Sequence, residues 1–212
     1  MPVTEFAILQ LRGGHDELEL LETLMQCREL QDEWMQQNQP CSIQDDVNFS
    51  SMYFERPHSD QGAPSTLLIT APWESPEAHG EWIQCADNAK CNGQLSTYVV
   101  PGCDSVLLFH MEPAGRNPQI RKAFFSKNAF NVSRISVDSS LRASLHEAYQ
   151  SLENEMVTLG VDDELWAGWR IETSDGTEDL VLFWSDNVES ERLQHLMSLS
   201  DRKIHHRFKH VV

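Results

Sequence analysis

The chain is poor in positive charge. Sixteen lysines and arginines stand against 33 aspartates and glutamates, a formal charge of −17 over 212 residues. Such a surface repels phosphate backbones and anionic headgroups, so neither nucleic acid nor a membrane is expected as a partner. Long apolar runs are lacking too: no stretch reaches the ~20 residues that a bilayer-spanning helix needs. The opening Met1-Pro2-Val3-Thr4-Glu5 has no basic n-region, and the apolar run after it is short and strand-like, unlike a secretory leader. The five cysteines (Cys27, Cys41, Cys85, Cys91, Cys103) are odd in number and form no CxxC pair. That argues against a disulfide framework and fits a reduced, cytoplasmic protein.

Cofactor signatures are equally scarce. The sequence contains no GxGxxG, no GxxxxGK[ST] and no GxSxG elbow. Gly13-Gly14, after the first apolar segment, reads as a turn. Nine histidines raise the question of a metal. Three of them, His205, His206 and His210, close the chain in an alternating segment. There His205 and His206 face opposite sides, and His206 and His210 lie ~13 Å apart at ~3.3 Å per residue. No local metal site and no cofactor are therefore expected, and the last segment reads as a solvated edge strand. An apolar fraction of 40% and a charged fraction of 23% belong to an ordinary globular protein.

Hydrophobic periodicity organises the rest. Glu5 to Leu11 (EFAILQL) reads as a strand, and Asp16 caps a helix from Glu17 to Gln37 with Leu18, Leu21, Met25, Leu30 and Trp34 at helical spacing. Val47 to Glu55 and Thr66 to Ala71 read as strands, with a turn over Pro57 to Pro64. Ser75-Pro76-Glu77 is a helix start, with serine as cap and proline in the first turn. A looser, partly helical stretch follows to Tyr98, and Ser105 to Met111 is the fourth strand. The order β-α-β-β-α-β is the split-βαβ pattern. It then recurs: a strand at Asn131 to Val137, a helix capped by Ser139 or Ser140, running through Leu159 and ended by Gly160, and a strand at Leu165 to Ile171. A hairpin turn at Ser174-Asp175-Gly176 leads to a strand at Asp179 to Trp184, a helix at Asn187 to Leu199 and a strand at Ile204 to Val211. TLLITAPWESPEAHGEWIQ in the first half stands opposite DLVLFWSDNVESERLQHLM in the second, each an apolar strand, a tryptophan, an acidic turn and an amphipathic helix.

The expected fold is therefore α+β: two tandem ferredoxin-like βαββαβ units, residues 1–113 and 128–212, joined by a linker at 114–127. One such unit covers a single sheet face with its helices, and a second sheet is the natural cover for the other. The two units would thus form an intramolecular α/β barrel.

The segment Leu67 to Gln84 (LLITAPWESPEAHGEWIQ), with a strand, an aromatic, an acidic turn and then Glu-Ala-His, resembles the dimeric α/β-barrel superfamily, most closely its antibiotic-biosynthesis-monooxygenase-like members. The opening TEFAILQLR is similar to fungal members of that group. The resemblance covers most of the first half at motif level and the second in architecture only. It implies a cavity for a planar or polycyclic metabolite. Relatives of that kind include cofactor-free monooxygenases, polyketide cyclases, isomerases and heme-degrading enzymes, along with stress proteins without firm chemistry.

Several residues could carry chemistry in such a cavity. His79 opens the second helix beside Trp82 and can move a proton near neutral pH. His110 projects from an apolar strand. Tyr53 could donate to a substrate oxygen, and Glu55, on the same face, could act as a base. Trp73, Trp82 and Phe49 suit a flat aromatic ligand, and Arg170 could pair with a carboxylate or phenolate. The expected ligand is a small hydrophobic or aromatic metabolite, held by a monomer or homodimer. The function that follows is a cofactor-independent tailoring enzyme of secondary, polyketide-type metabolism. It would work by proton transfer leading to cyclisation, isomerisation or oxygenation. A non-catalytic binding or stress-response protein is the second reading, and heme binding or degradation the third. The second half lacks Glu-Ala-His, so a single site in the first half is expected.

Overall fold

The computed structural model describes residues 1–39, 50–55, 66–120, 122–125, 128–173 and 176–212. Phe49, the turn at Pro57 to Pro64, Ser174, Asp175 and part of the linker lie outside the described residues. The chain divides into two compact units, Met1–Phe109 with His210–Val212, and His110–Lys209.

The first unit runs β1 (Val3–Gln10), α1 (Glu17–Asn38), β2 (Ser51–Glu55), β3 (Thr66–Trp73), α2 (Pro76–Gln84), α3 (Ala86–Leu95) and the start of β4 (Val106–Pro113). β1 and β2 both lie antiparallel to β3, with Glu5 opposite Ala71 and Met52 opposite Ile69. The last residues of the chain join this unit: the Met52 N–H donates to the Val212 carbonyl at 2.8 Å, and the Val211 N–H donates back to Met52 at 2.9 Å. The helix starts are those the sequence encodes. Asp16 accepts the N–H groups of Leu18 and Glu19, and Ser75 accepts that of Ala78 ahead of Pro76. The stretch expected to be loosely helical is a regular helix, α3. Its N-terminal N–H at Asn88 is accepted by the Cys85 sulfur at 3.4 Å.

The buried face of α1 differs from the expected one. Leu18 and Met25 are exposed, and the helix buries Leu20, Leu24, Cys27, Gln31 and Met35 instead. The expected stripe weighted leucine, methionine and tryptophan. The actual stripe includes a cysteine and a glutamine, which only become core-facing once a cavity lies beneath them.

The second unit runs from the end of β4 through β5 (Ala129–Asp138), α4 (Arg142–Leu159), β6 (Leu165–Arg170), β7 (Thr177–Ser185), α5 (Ser190–Ser198) and β8 (Arg202–His210). β5 pairs with β7 and β8, β7 with β6, and β6 with β4, all antiparallel. The C-terminal segment expected to be a strand is β8, and most of its residues are exposed, as expected. β8 pairs with β5 over Ala129↔Lys209 to Ser136↔Arg202, and Phe208 is fully buried. Gly160 ends α4 in the left-handed region at φ 71°, where glycine carries no Cβ penalty. Between this sheet and its helices, Leu145, Tyr149, Leu152 and Met156 of α4 belong to one core with Trp169 and Trp184.

Within the first unit the strand order is β1-β3-β2, and within the second it is β8-β5-β7-β6-β4. The fold is α+β, two tandem βαββαβ units, as the repeat implies. No helix among the described residues is long and apolar enough to cross a membrane.

Candidate functional site

In the first unit the sheet and helices enclose a cavity of about 250 Å³. Its floor is one face of the sheet, where β1 presents Glu5, Ala7 and Leu9 at period two. Helices α1, α2 and α3 form its roof, and the exposed side chains of Ile83, Val106 and Leu108 mark its open side. The walls are mostly aliphatic, so a few polar groups decide what can sit inside.

Two of these groups stand out. Glu5 comes from the middle of an otherwise apolar strand and is 6% exposed; His79 comes from the first turn of α2 and is 3% exposed. His79 Nε2 lies 3.6 Å from Glu5 Oε2. The same carboxylate oxygen accepts the indole N–H of Trp73 at 2.9 Å. The Trp73 ring stacks on the His79 imidazole, with centroids 4.4 Å apart and planes at 16°. One carboxylate, one imidazole and one indole therefore fix each other, a buried charge being tolerable only when it is paired and hydrogen-bonded. Trp34 packs against both Trp73 (6.1 Å) and Trp82 (5.7 Å). With its amide turned to suit its surroundings, Asn88 accepts the Trp82 indole N–H at 2.9 Å. Gln31 also lines the cavity, and its Nε2 is buried without a hydrogen-bond partner among the described residues, the kind of group that a bound polar atom satisfies.

The residues singled out from sequence fall in different places. His79 and Trp82 line the cavity, and Trp73 stands directly behind His79. Tyr53 is wholly buried one residue along from Met52, which does line the cavity. Its hydroxyl is 3.5 Å from that of Thr70, its ring lies against His210 (5.4 Å), and burial pushes its phenol far above the ordinary tyrosine range. Glu55, half-buried, ends β2. His110 and Arg170 belong to the second unit. There His110 Nδ1 lies 2.5 Å from Glu172, whose carboxylate also accepts the His110 backbone N–H at 2.9 Å. Burial works to raise the Glu172 carboxyl, but these hydrogen bonds outweigh it and hold the group below the usual range. Arg170 is paired with Asp179 at 3.3 Å.

Glu5, Gln31 and Asn88 are the site groups that the sequence reading passed over. Glu5 did carry a signal: in Val3-Thr4-Glu5-Phe6-Ala7 a carboxylate shares the face of apolar alternate residues. Gln31 and Asn88 carried none, being polar residues on helices with polar faces.

The sequence matches no protein-family model, and it matches no curated protein. Solved structures do resemble the fold. The "putative monooxygenase" of Fusobacterium nucleatum is similar over 100% of this chain and 93% of its own, with 8% identity and a TM-score of 0.60. That of Lactobacillus acidophilus is similar over 100% and 94%, with 9% identity and a TM-score of 0.56. An anthrone oxidase-like protein is similar over 100% and 92%, with 8% identity and a TM-score of 0.54. At such identities what is shared is the architecture, and the chain has, from end to end, the tandem ferredoxin-like α/β-barrel fold of these proteins.

Proposed function

We propose that the first unit is a cofactor-independent enzyme that removes a proton from a small phenolic or enolisable ring compound. The observation that carries the reading is the buried Glu5–His79 pair on the wall of a largely aliphatic cavity. A carboxylate and an imidazole in contact can take a proton from a C–H or O–H acid and return it elsewhere. The aliphatic walls and the Trp82 ring suit a flat apolar body, and the Gln31 amide N–H suits the oxygen on which negative charge develops. The resulting carbanion or phenolate closes a ring, isomerises or reacts with dioxygen. The names borne by the structural relatives favour the last of these, and a place in cytoplasmic, polyketide-type secondary metabolism fits such substrates. His110, Tyr53, Glu55 and Arg170 enter this proposal as secondary candidates, outside the Glu5–His79 cavity.

The cavity size sharpens the substrate class. Pockets for drug-sized ligands run about 300–1,000 Å³, so about 250 Å³ suits one or two rings better than the polycyclic body first expected. A space of about 250 Å³ also suits one or two rings better than a porphyrin.

The test is to incubate the protein with hydroxynaphthalenes and tetralones, recording oxygen uptake and product mass. Product with oxygen uptake assigns the oxygenase branch, and product without it assigns cyclisation or isomerisation. Saturable quenching of tryptophan fluorescence with no product from any probe would make the protein a binder and defeat the enzyme reading.

A further inference from the structure

The same cavity holds a feature that proton transfer does not use. Cys27 on α1 and Cys91 on α3 are 3% and 4% exposed, both line the cavity, and both are free thiols. Their contacts are reciprocal: the Cys27 sulfur lies 4.0 Å from the Cys91 carbonyl oxygen, and the Cys91 sulfur 3.9 Å from that of Cys27. Two cysteines 64 positions apart thus cross side by side where two helices meet. Packing alone explains one buried cysteine, a small apolar residue. It does not require two on adjacent helices, each sulfur against the other's backbone, on the wall of an open cavity.

We propose that Cys27 and Cys91 form a reversible dithiol–disulfide couple, oxidised by a peroxide that enters through the cavity. The Cys91 sulfur attacks a peroxide oxygen, the O–O bond breaks, and Cys91 becomes a sulfenic acid with release of one water. The Cys27 thiol then attacks that sulfur, the S–S bond forms, and a second water leaves. Together the two thiols give up two electrons and two protons, and hydrogen peroxide is reduced to two waters. The division of roles follows from the local chemistry. The interaction between the two thiols, helped by burial, pushes Cys27 up, while it holds Cys91 below the ordinary thiol range against the opposing effects of burial and Asp87. Cys91 is therefore the attacking sulfur and Cys27 the resolving one. Cys103, exposed and bonded only to its neighbour Asp104, lacks such a partner thiol among the described residues. The disulfide ties α1 to α3 across a long loop, which restricts the unfolded chain and raises thermal stability.

The experiment uses the full chain, reduced and then treated in the folded state with hydrogen peroxide, with oxidised glutathione as a second oxidant. Non-reducing peptide mapping is expected to find Cys27 joined to Cys91, with a mass loss of two hydrogen atoms. The melting temperature should rise, and dithiothreitol should reverse both changes. Cys27→Ser and Cys91→Ser should each abolish the rise. With Cys27→Ser, the Cys91 sulfenic acid should persist and be trapped by dimedone. Recovery of both cysteines as separate alkylated thiols, or of a Cys91 sulfinic acid in the wild-type chain without the cross-link, would overturn the proposal.

Discussion

Glu5→Gln removes a charge while keeping the oxygen that accepts the Trp73 indole N–H, so it separates chemistry from packing. In the proposed enzyme this change is expected to lower kcat by about 10²–10⁴-fold, the usual contribution of a positioned base, with little change in melting temperature. His79→Ala should lose as much activity and some stability besides, because the imidazole also covers Trp73. Thermal melts alongside steady-state rates distinguish the two effects. A second residue-scale expectation concerns pH. Burial and the nearby Arg28 lower the His210 imidazole below its ordinary value of 6.5. The unfolded chain therefore binds that proton more readily. Stability from this group is present above pH 6.5 and is lost as the pH falls toward the folded value. His210→Gln should flatten the dependence of melting temperature on pH in that acid range, as seen by calorimetry at a series of pH values. Sequence made part of this scale legible. His79 could be read because a titratable group followed a strong helix start next to a tryptophan. Glu5 broke the apolar face of its strand and was readable in principle. Gln31 and Cys27 were not, because a polar or small residue on α1 acquires meaning only when the packing of α1 against α3 places it over a cavity.

Some helix starts and stops were legible, because caps are local chemistry, but the serine expected to cap α4 makes no such bond: a 3-10 turn over Ser139–Leu141 precedes the helix and Leu141 stands at its cap. Ser75 and Asp16 make the side-chain bonds their positions imply, and Gly160 takes the left-handed conformation that ends α4. Ser75→Ala should cost about 1 kcal/mol by removing the α2 cap, and it should loosen the turn that carries His79. Denaturant titration measures the loss. One element-scale constraint left no local mark. Gly168 on β6 has no room for a side chain: a Cβ there would meet Met111 Cβ and Trp166 at 2.8 Å and the Glu112 carbonyl at 3.2 Å. Gly168→Ala is expected to destabilise by about 1–3 kcal/mol, the range for overpacking, again read by denaturant titration. The misplaced face of α1 shows the same limit. Periodicity predicted a helix, but the tally of large apolar residues set its phase, and the cavity shifted the buried stripe toward Cys27 and Gln31.

Across the whole molecule, the repeat was the feature that carried the fold. Two β-α-β-β-α-β passes predicted two sheets of the same order, and the units have the matching orders β1-β3-β2 and β5-β7-β6. Chemistry, by contrast, is unequal between the halves. In the second unit Tyr149, Trp169 and Trp184 belong to the core between sheet and helices, and in the first Glu5 and His79 line a cavity there. The first unit also draws on the far end of the chain, since Val211 and Val212 bond to Met52 on the cavity floor. Removing residues 210–212 should therefore lower stability, each lost hydrogen bond being worth about 0.5–1.5 kcal/mol, and should weaken whatever binds in the cavity.

The central claim is that the working site is the sheet–helix cavity of the first unit. Ala7 lies on its floor, 5% exposed, and Ala7→Phe fills that space without touching Glu5 or His79 chemically. Tryptophan fluorescence titrated with naphthol, in wild-type protein and in Ala7→Phe confirmed as folded by circular dichroism, is the direct measurement. The account predicts saturable quenching in the wild type and none in the variant; equal quenching in both would place the ligand elsewhere and contradict it.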